Sequence, residues 1–322
     1  MNQDSNFKKR NVIIDCDTGV DDALALLLAL RWPGFNVLGI TTVAGNVPLD
    51  KVVRNSLVVV EHATTGVPVY QGSRNAMKGV SETAEYAHGS DGLGDVGFAD
   101  PTITKQDEHA VDFLVRAFVE SEEPIELVTL GPLTNIALAL LKEPAIAKKI
   151  SSLVMMAGGI TNGNTTSASE FNIWVDPEAA DLVFRSDIQN KTMVPLEPNA
   201  QGGMILPEDI ARLENSSAPW CQMAVKLLKS QIDRWKKFTQ MERNPTPPDL
   251  TAMAVAINPS LAQSEILPVA IETRGEHTRG MTLVDQRPYL HLRGDTLKLN
   301  INVVFTVDNH SLRKLVVDTL LN

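Results

Sequence analysis

The stretch NVIIDCDTGVDDALALLLAL, residues 11–30, decides how the chain begins to fold. Val12-Ile13-Ile14 is an uninterrupted apolar run of the kind that forms a buried strand, and Ala23 to Leu30 reads as a helix that stops before Trp32-Pro33-Gly34. Between them, Asp15, Asp17, Asp21 and Asp22 place four carboxylates within eight residues, where the strand passes into the helix. Strand alternation sets Asp15 and Asp17 on one face and Cys16 on the other, and Gly19 provides for a sharp turn. Asp21 and Asp22 then fall in the first helical turn, where the helix dipole favours one or two acids but gives no reason for four. Carboxylates this close repel one another and raise each other's pKa unless a cation neutralises them. An all-oxygen donor set without His or Cys suits calcium or magnesium rather than zinc.

The same strand-to-helix rhythm continues outward. Asn36 to Thr42 is strand-like, Pro48 to Thr64 helical, Ala110 to Glu120 helical and Ile125 to Leu130 strand-like. After the Gly131-Pro132 turn comes a helix, Asn135 to Leu141, then the apolar strand Leu153 to Ala157. Asp176-Pro177-Glu178 is a strong helix start, with a capping Asp, a first-turn Pro and an acid behind it. Thr192 to Leu196 is again strand-like. Towards the C-terminus the pattern changes to a hairpin, Val269 to Thr273 with Met281 to Asp285, then a strand from Lys298 to Val307 and a closing helix. Such alternation predicts an α/β fold: a mostly parallel, Rossmann-like sheet with helices on both faces and an elaborated C-terminal third. Neither a linker nor an internal repeat divides the sequence, so residues 1–322 are read as one large domain. Ligands of open parallel sheets sit beyond the carboxyl ends of the strands, which is where the acidic cluster falls.

Composition narrows the class of protein. With 322 residues, 43% hydrophobic and 21% charged, the chain is ordinary globular material and long enough for a large core. Lys and Arg total 29 against 39 Asp and Glu, a net charge of −10, which argues against nucleic acid as a partner. Two cysteines, Cys16 and Cys221, cannot build a disulfide framework or a four-thiolate zinc site. The polar start followed by only three apolar residues is too short for a signal-peptide core, and the run Ala23 to Leu30 is too short to cross a membrane. A cytoplasmic protein without membrane association is expected.

DCDTGVDDALAL resembles the N-terminal signature DxDPGxDDxxA of the inosine-uridine nucleoside hydrolase family. VAGN at Val43 to Asn46 and VTLGPLTNIALAL at Val128 to Leu140 are similar to two further segments of that family. Gly163-Asn164, Glu170-Phe171-Asn172 and Val175-Asp176-Pro177-Glu178 resemble its GNxxxxxEFNxxxDPEAA run, and ETRGEHTRGMTLVD at Glu272 to Asp285 its C-terminal hairpin. The resemblance implies calcium-dependent hydrolysis of the N-glycosidic bond of ribonucleosides, giving free base and ribose, in purine and pyrimidine salvage. It implies that Asp17 is a metal ligand and the base that activates water, with Asp22, the backbone carbonyl of Thr129 and Asp249 completing the protein's ligands to Ca2+. Asp21, supported by Asn46, would hold a ribose hydroxyl, and Asn164, Glu170 and Asn172 would reach its 5′ and 3′ sides. His88, in the loop His88-Gly89-Ser90-Asp91-Gly92-Leu93-Gly94, would lie near the base. Homodimers or homotetramers are common in the family.

Blander readings stand beside several of these. Thr129 suits an ordinary strand position, Asp249 a simple helix N-cap, Asn164 and Glu170 a solvent-facing turn, and His88 a surface histidine on a flexible lid. Val225, Leu228, Ile232 and Trp235 recur at helical spacing and read as a packing stripe. The chain departs from the family at Pro248, where many relatives carry a histidine immediately before the late metal-binding Asp. Proline cannot protonate a leaving base; Arg243 and Trp235 are the nearby candidates to replace it. That departure motivates one alternative, a riboside-binding protein that has lost turnover. A second is a dehalogenase-type phosphatase, whose DxDxT motif the first strand also matches.

Overall fold

Val12, Ile14 and Cys16 enter one core layer and Ile13 the other, so β1 (Arg10–Cys16) is covered on both faces. The computed structural model describes residues 8–79, 82–200, 205–240, 243–288 and 300–322. Beside β1 lie β2 (Phe35–Thr42) and β3 (Val69–Gln71) on one side, and β4 (Ile125–Thr129), β5 (Ile150–Met156) and β6 (Lys191–Val194) on the other. Next in chain order come the short strands β7 (Ala262–Leu267), β8 (Val269–Ile271) and β9 (Thr282–Val284), then β10 (Ile301–Val307). The eight-stranded sheet has the order β3-β2-β1-β4-β5-β6-β10-β7. Every pairing in it is parallel except that of β7 with β10. β8 and β9 form the expected antiparallel hairpin.

Helices Val20–Arg31, Pro219–Thr239, Pro248–Ile257 and Asn309–Leu321 cover one face of the sheet, with Leu24, Leu28, Met253 and Val317 in that core layer. Helices Ala110–Glu120, Thr134–Lys142 and Pro177–Arg185 cover the other, with Phe113, Ile136 and Phe184. The α/β reading therefore holds. The strand Lys298 to Val307 is found from Ile301, its first residues lying outside those described.

From β1 the chain moves outward through β2 and β3, then returns to β4 on the opposite side and moves away through β5 and β6. The order thus reverses between β1 and β4, and the crossover connections leave a crevice there at the carboxyl ends of the strands. Asp15 of β1 and Thr129 of β4 are register partners at that edge. Topology alone puts the acidic segment at the place where such folds bind ligands.

Candidate active site

Asp17 lies one residue past β1, so strand alternation no longer fixes its direction. Its backbone does so instead: the Asp17 N–H donates to Asp22 Oδ1 (3.1 Å), and the Asn46 N–H donates to Asp17 Oδ2 (2.7 Å). The turn that follows is tied down by Thr18 and Ser56, whose hydroxyls are 2.6 Å apart, and by Asn55 Nδ2, which donates to the Thr18 carbonyl. Gly19 corrects the sequence reading, since its φ of −95° needs no glycine. Space requires it: a Cβ there would collide with His88 Nδ1 and come within 2.7 Å of Asn46 Nδ2. Two further glycines, Gly131 and Gly45, wall in Asp17. A Cβ on Gly131 would stand 2.7 Å from Asp17 Oδ1, and one on Gly45 would collide with Oδ2.

Asp22 accepts from three N–H groups, those of Asp17, Gly19 (2.9 Å) and the Asn46 side chain (2.9 Å). The Asn46 side chain thus steadies Asp22, and the residue itself lines the cleft. Asp249 is the second residue of helix Pro248–Ile257, not its N-cap, which is Pro247. Its carboxylate, with those of Asp21 and Asp22, forms a buried group whose oxygens lie within 4.8 Å of one another. Asp15 turns away from this group, accepting from Thr41 Oγ1 (2.6 Å) and Asn135 Nδ2 (2.8 Å). Thr129 ends β4 between Asp15 and Met155, with Gly131 just beyond it against Asp17.

Such packing is electrostatically costly. Burial, then the Asp22 charge, pushes Asp17 well above the usual carboxylate range. Asp249 is driven up by burial and then by Asp21, Asp22 and Asp17. Asp21 is raised by burial, opposed by His88 and reinforced by Asp22. Asp17 Oδ1 and Asp21 Oδ1 are buried without any hydrogen-bond partner. Buried, mutually repelling oxygens with open lone pairs fit a divalent cation, which would satisfy the orphaned atoms and cancel the repulsion.

The opposite wall of the cleft comes from the segment after β5. Glu170 caps the short helix Phe171–Val175, accepting from the N–H groups of Asn172 and Ile173, and also from Gly158 (2.9 Å). It is buried, as is Asn172, whose Nδ2 donates to the carbonyls of Leu130 (2.7 Å) and Met156 (3.1 Å). A solvent-facing turn therefore does not describe Glu170. Asn164 is exposed, its Oδ1 accepting from the Phe171 N–H (2.9 Å). His88 is not on a loose lid. Its side chain is 13% exposed, with Nδ1 accepting from the Val20 N–H (3.2 Å) and lying 3.5 Å from Asp21 Oδ1. These residues, with Tyr86, Ala87 and Pro248, line a cleft of about 80 Å³. Larger hollows of about 560 and 570 Å³ lie elsewhere on the described surface and gather no buried acids.

The proposed stand-ins for the missing histidine fare worse. The Arg243 guanidinium sits 5.2 Å from the centre of the Trp235 ring, and neither residue lines the cleft. The packing stripe also fades: Val225 and Leu228 are buried, but Trp235 is 39% exposed.

Residues 12–314 match the family model described as inosine-uridine preferring nucleoside hydrolase. The chain belongs to this family. It is 37% identical over 305 residues to a pyrimidine-specific ribonucleoside hydrolase of Shewanella woodyi, covering 93% of this chain and 94% of that one. It is 39% identical over 285 residues to the inosine-uridine preferring nucleoside hydrolase of Crithidia fasciculata, covering 86% of this chain and 88% of the relative. Among solved structures, a purine-preferring ribonucleoside hydrolase from Gardnerella vaginalis superposes with a TM-score of 0.86 at 30% identity, covering 97% of this chain and 98% of that one. The protein is thus a nucleoside hydrolase, an enzyme of ribonucleoside N-glycosidic bonds, and the phosphatase alternative falls. No helix among the described residues is long and apolar enough to cross a membrane.

Proposed function

We propose that this nucleoside hydrolase works with a calcium ion held by Asp17, Asp22, Asp249 and the backbone carbonyl of Thr129, and that Asp17 accepts the proton of the attacking water. The observation that carries this reading is the buried acid cluster with its unpartnered Asp17 and Asp21 oxygens at the crevice between β1 and β4. Calcium is favoured because a flexible shell of six to eight oxygens leaves room for ribose hydroxyls beside the protein's own ligands. When bound, the cation neutralises the acids and makes water easier to deprotonate.

The remaining work belongs to the side chains. Water adds to the anomeric carbon as the bond to the base nitrogen breaks, its electron pair leaving with the base and the sugar passing through a ribosyl-cation-like state. Asp17 takes the water's proton through an oxygen kept clear by Gly131. Asp21 accepts a ribose hydroxyl, while Asn46 holds Asp22 in place. Glu170, Asn172 and Asn164 grip the other side of the sugar, the first two fixed by their own backbone partners. His88 stands beside Asp21 on the side towards the base.

The test is ribose release from a panel of ribonucleosides by the parent and by Asp17→Asn. Loss of a positioned base costs roughly 10²–10⁴ in rate; the variant is expected to fall by that factor while its circular dichroism stays that of the parent. An Asp17→Asn protein that turned over near the parent rate would refute the assigned role. Pro248 lines the cleft where many relatives carry a histidine, so the same panel reads whether turnover survives that replacement: nucleoside binding with no ribose released from any member would point to a riboside-binding protein instead.

A further inference from the structure

Tyr86 is held in place at its backbone and uncommitted at its side chain. It belongs to the single-turn helix Glu85–His88. Its own carbonyl accepts from Arg234 Nη1 (3.3 Å), and the carboxylate of Glu85 before it pairs with Lys51 Nζ (2.8 Å). The Ala84 N–H, at the entry to the turn, donates to the carbonyl of Asn46, which itself orders Asp17 and Asp22. The peptide that carries Tyr86 is therefore tied to the metal-site segment and to the long helix Pro219–Thr239. Yet Tyr86 lines the cleft, is 59% exposed, and has no hydrogen-bond partner for its hydroxyl among the described residues.

Several other polar groups of the cleft already hold partners within the protein. Asn46 donates to Asp22, Asn172 to two carbonyls, and Glu170 accepts from three N–H groups. His88 uses Nδ1 for the Val20 N–H. Pro248 has nothing to donate. A large aromatic with one apolar face and one polar tip, left in water on an anchored backbone, suits a flat heteroaromatic ring bearing acceptors. Sugars lack such a face; nucleobases have one.

We propose that Tyr86 meets the base of the bound ribonucleoside, its hydroxyl donating a hydrogen bond to a carbonyl oxygen or ring nitrogen of that base. This assignment rests on the hydrolase reading above and makes Tyr86 a determinant of which bases are accepted. It also gives the departing base a partner on the side where Pro248 offers none.

Tyr86→Phe keeps the ring and removes the donor, which separates hydrogen bonding from stacking. For that variant, kcat/KM on uridine and inosine is expected to fall about tenfold, the scale of one net hydrogen bond. On p-nitrophenyl riboside, whose leaving group needs no such donor, the change should stay within about twofold. The melting temperature should not move, because the hydroxyl stabilises nothing in the free protein. Equal slowing of both substrate types, or natural nucleosides unchanged within twofold, would overturn the proposal. If the parent released no ribose from any nucleoside, the hydrolytic mechanism would fail separately. Equilibrium binding of uridine against ribose, in parent and variant, would then decide on Tyr86 alone: an unchanged ratio overturns it, and a selective loss of uridine affinity supports it.

Discussion

At the scale of single residues, the site is shaped as much by missing side chains as by acids. Asp17 Oδ1 is buried, unpartnered and faced by Gly131, whose backbone is not in the left-handed region and would tolerate alanine. A methyl group 2.7 Å from that oxygen, and within 3.0 Å of Asp17 Cγ and Cβ, would force the carboxylate aside. Gly131→Ala is therefore expected to weaken calcium binding and turnover by at least tenfold, a loss typical of displaced metal-site geometry. The chelator-treated variant should melt within a degree or two of the chelator-treated parent. Calcium titration followed by calorimetry checks it; unchanged affinity would mean that Asp17 does not present this oxygen to the ion. Gly131 had been read only as part of a turn. The motif displayed the acids, but spacing in the sequence carries no sign that the end of the neighbouring strand β4, distant along the chain, passes against Asp17.

At the scale of elements, the loop after His88 is a braced structure. Gly89, Gly92 and Gly94 all have positive φ, as does Asp95 at 57°. Asp95 accepts from Ser90, from the Asp91 N–H and from Arg234 Nη2 (2.8 Å), while Asn55 and Lys51 hold the carbonyls of Asp91 and Ser90. The Arg234–Asp95 pair is partly exposed, at 20% and 45%, so it contributes at most about 1 kcal/mol to stability. Its larger role is to couple helix Pro219–Thr239 to the turn bearing Tyr86 and His88. Arg234→Met should raise KM and lower kcat/KM for ribonucleosides about five- to tenfold, while thermal unfolding shifts by no more than about 2 °C. A loss of stability with unchanged kinetics would reduce the tether to a structural one. Sequence reading set a flexible lid beside a base contact for this loop, since glycine spacing looks the same whether or not a distant arginine braces it. It also missed β7, an edge strand whose middle four residues are exposed and so lack the apolar alternation that reveals a strand. The interior strands, covered on both faces, were legible because each is an apolar run followed by a helix.

At the scale of the molecule, the acids at the crevice set the stability of the fold against pH and metal. Asp15, Asp17, Asp21 and Asp249 all have carboxyl pKa values raised first by burial, Asp15 to about 7. A carboxyl whose folded pKa exceeds its unfolded value binds more protons folded than unfolded, so stability falls as pH rises between the two. For Asp15 the cost is absent below about pH 4 and complete above its folded pKa of about 7. The cation-free protein should therefore lose stability from pH 5 to pH 8. Calcium acts in the opposite sense, since it binds only ionised ligands and only the folded chain presents them together. At a thousandfold excess over Kd it would stabilise by about 4 kcal/mol, a rise of several degrees in melting temperature for a chain of this length. The difference in melting temperature with calcium and with chelator should thus be small at pH 5 and widen towards pH 8, with added calcium restoring what the chelator removes. Differential scanning calorimetry across that range decides the matter. A calcium effect independent of pH would place the ion on groups other than these buried acids.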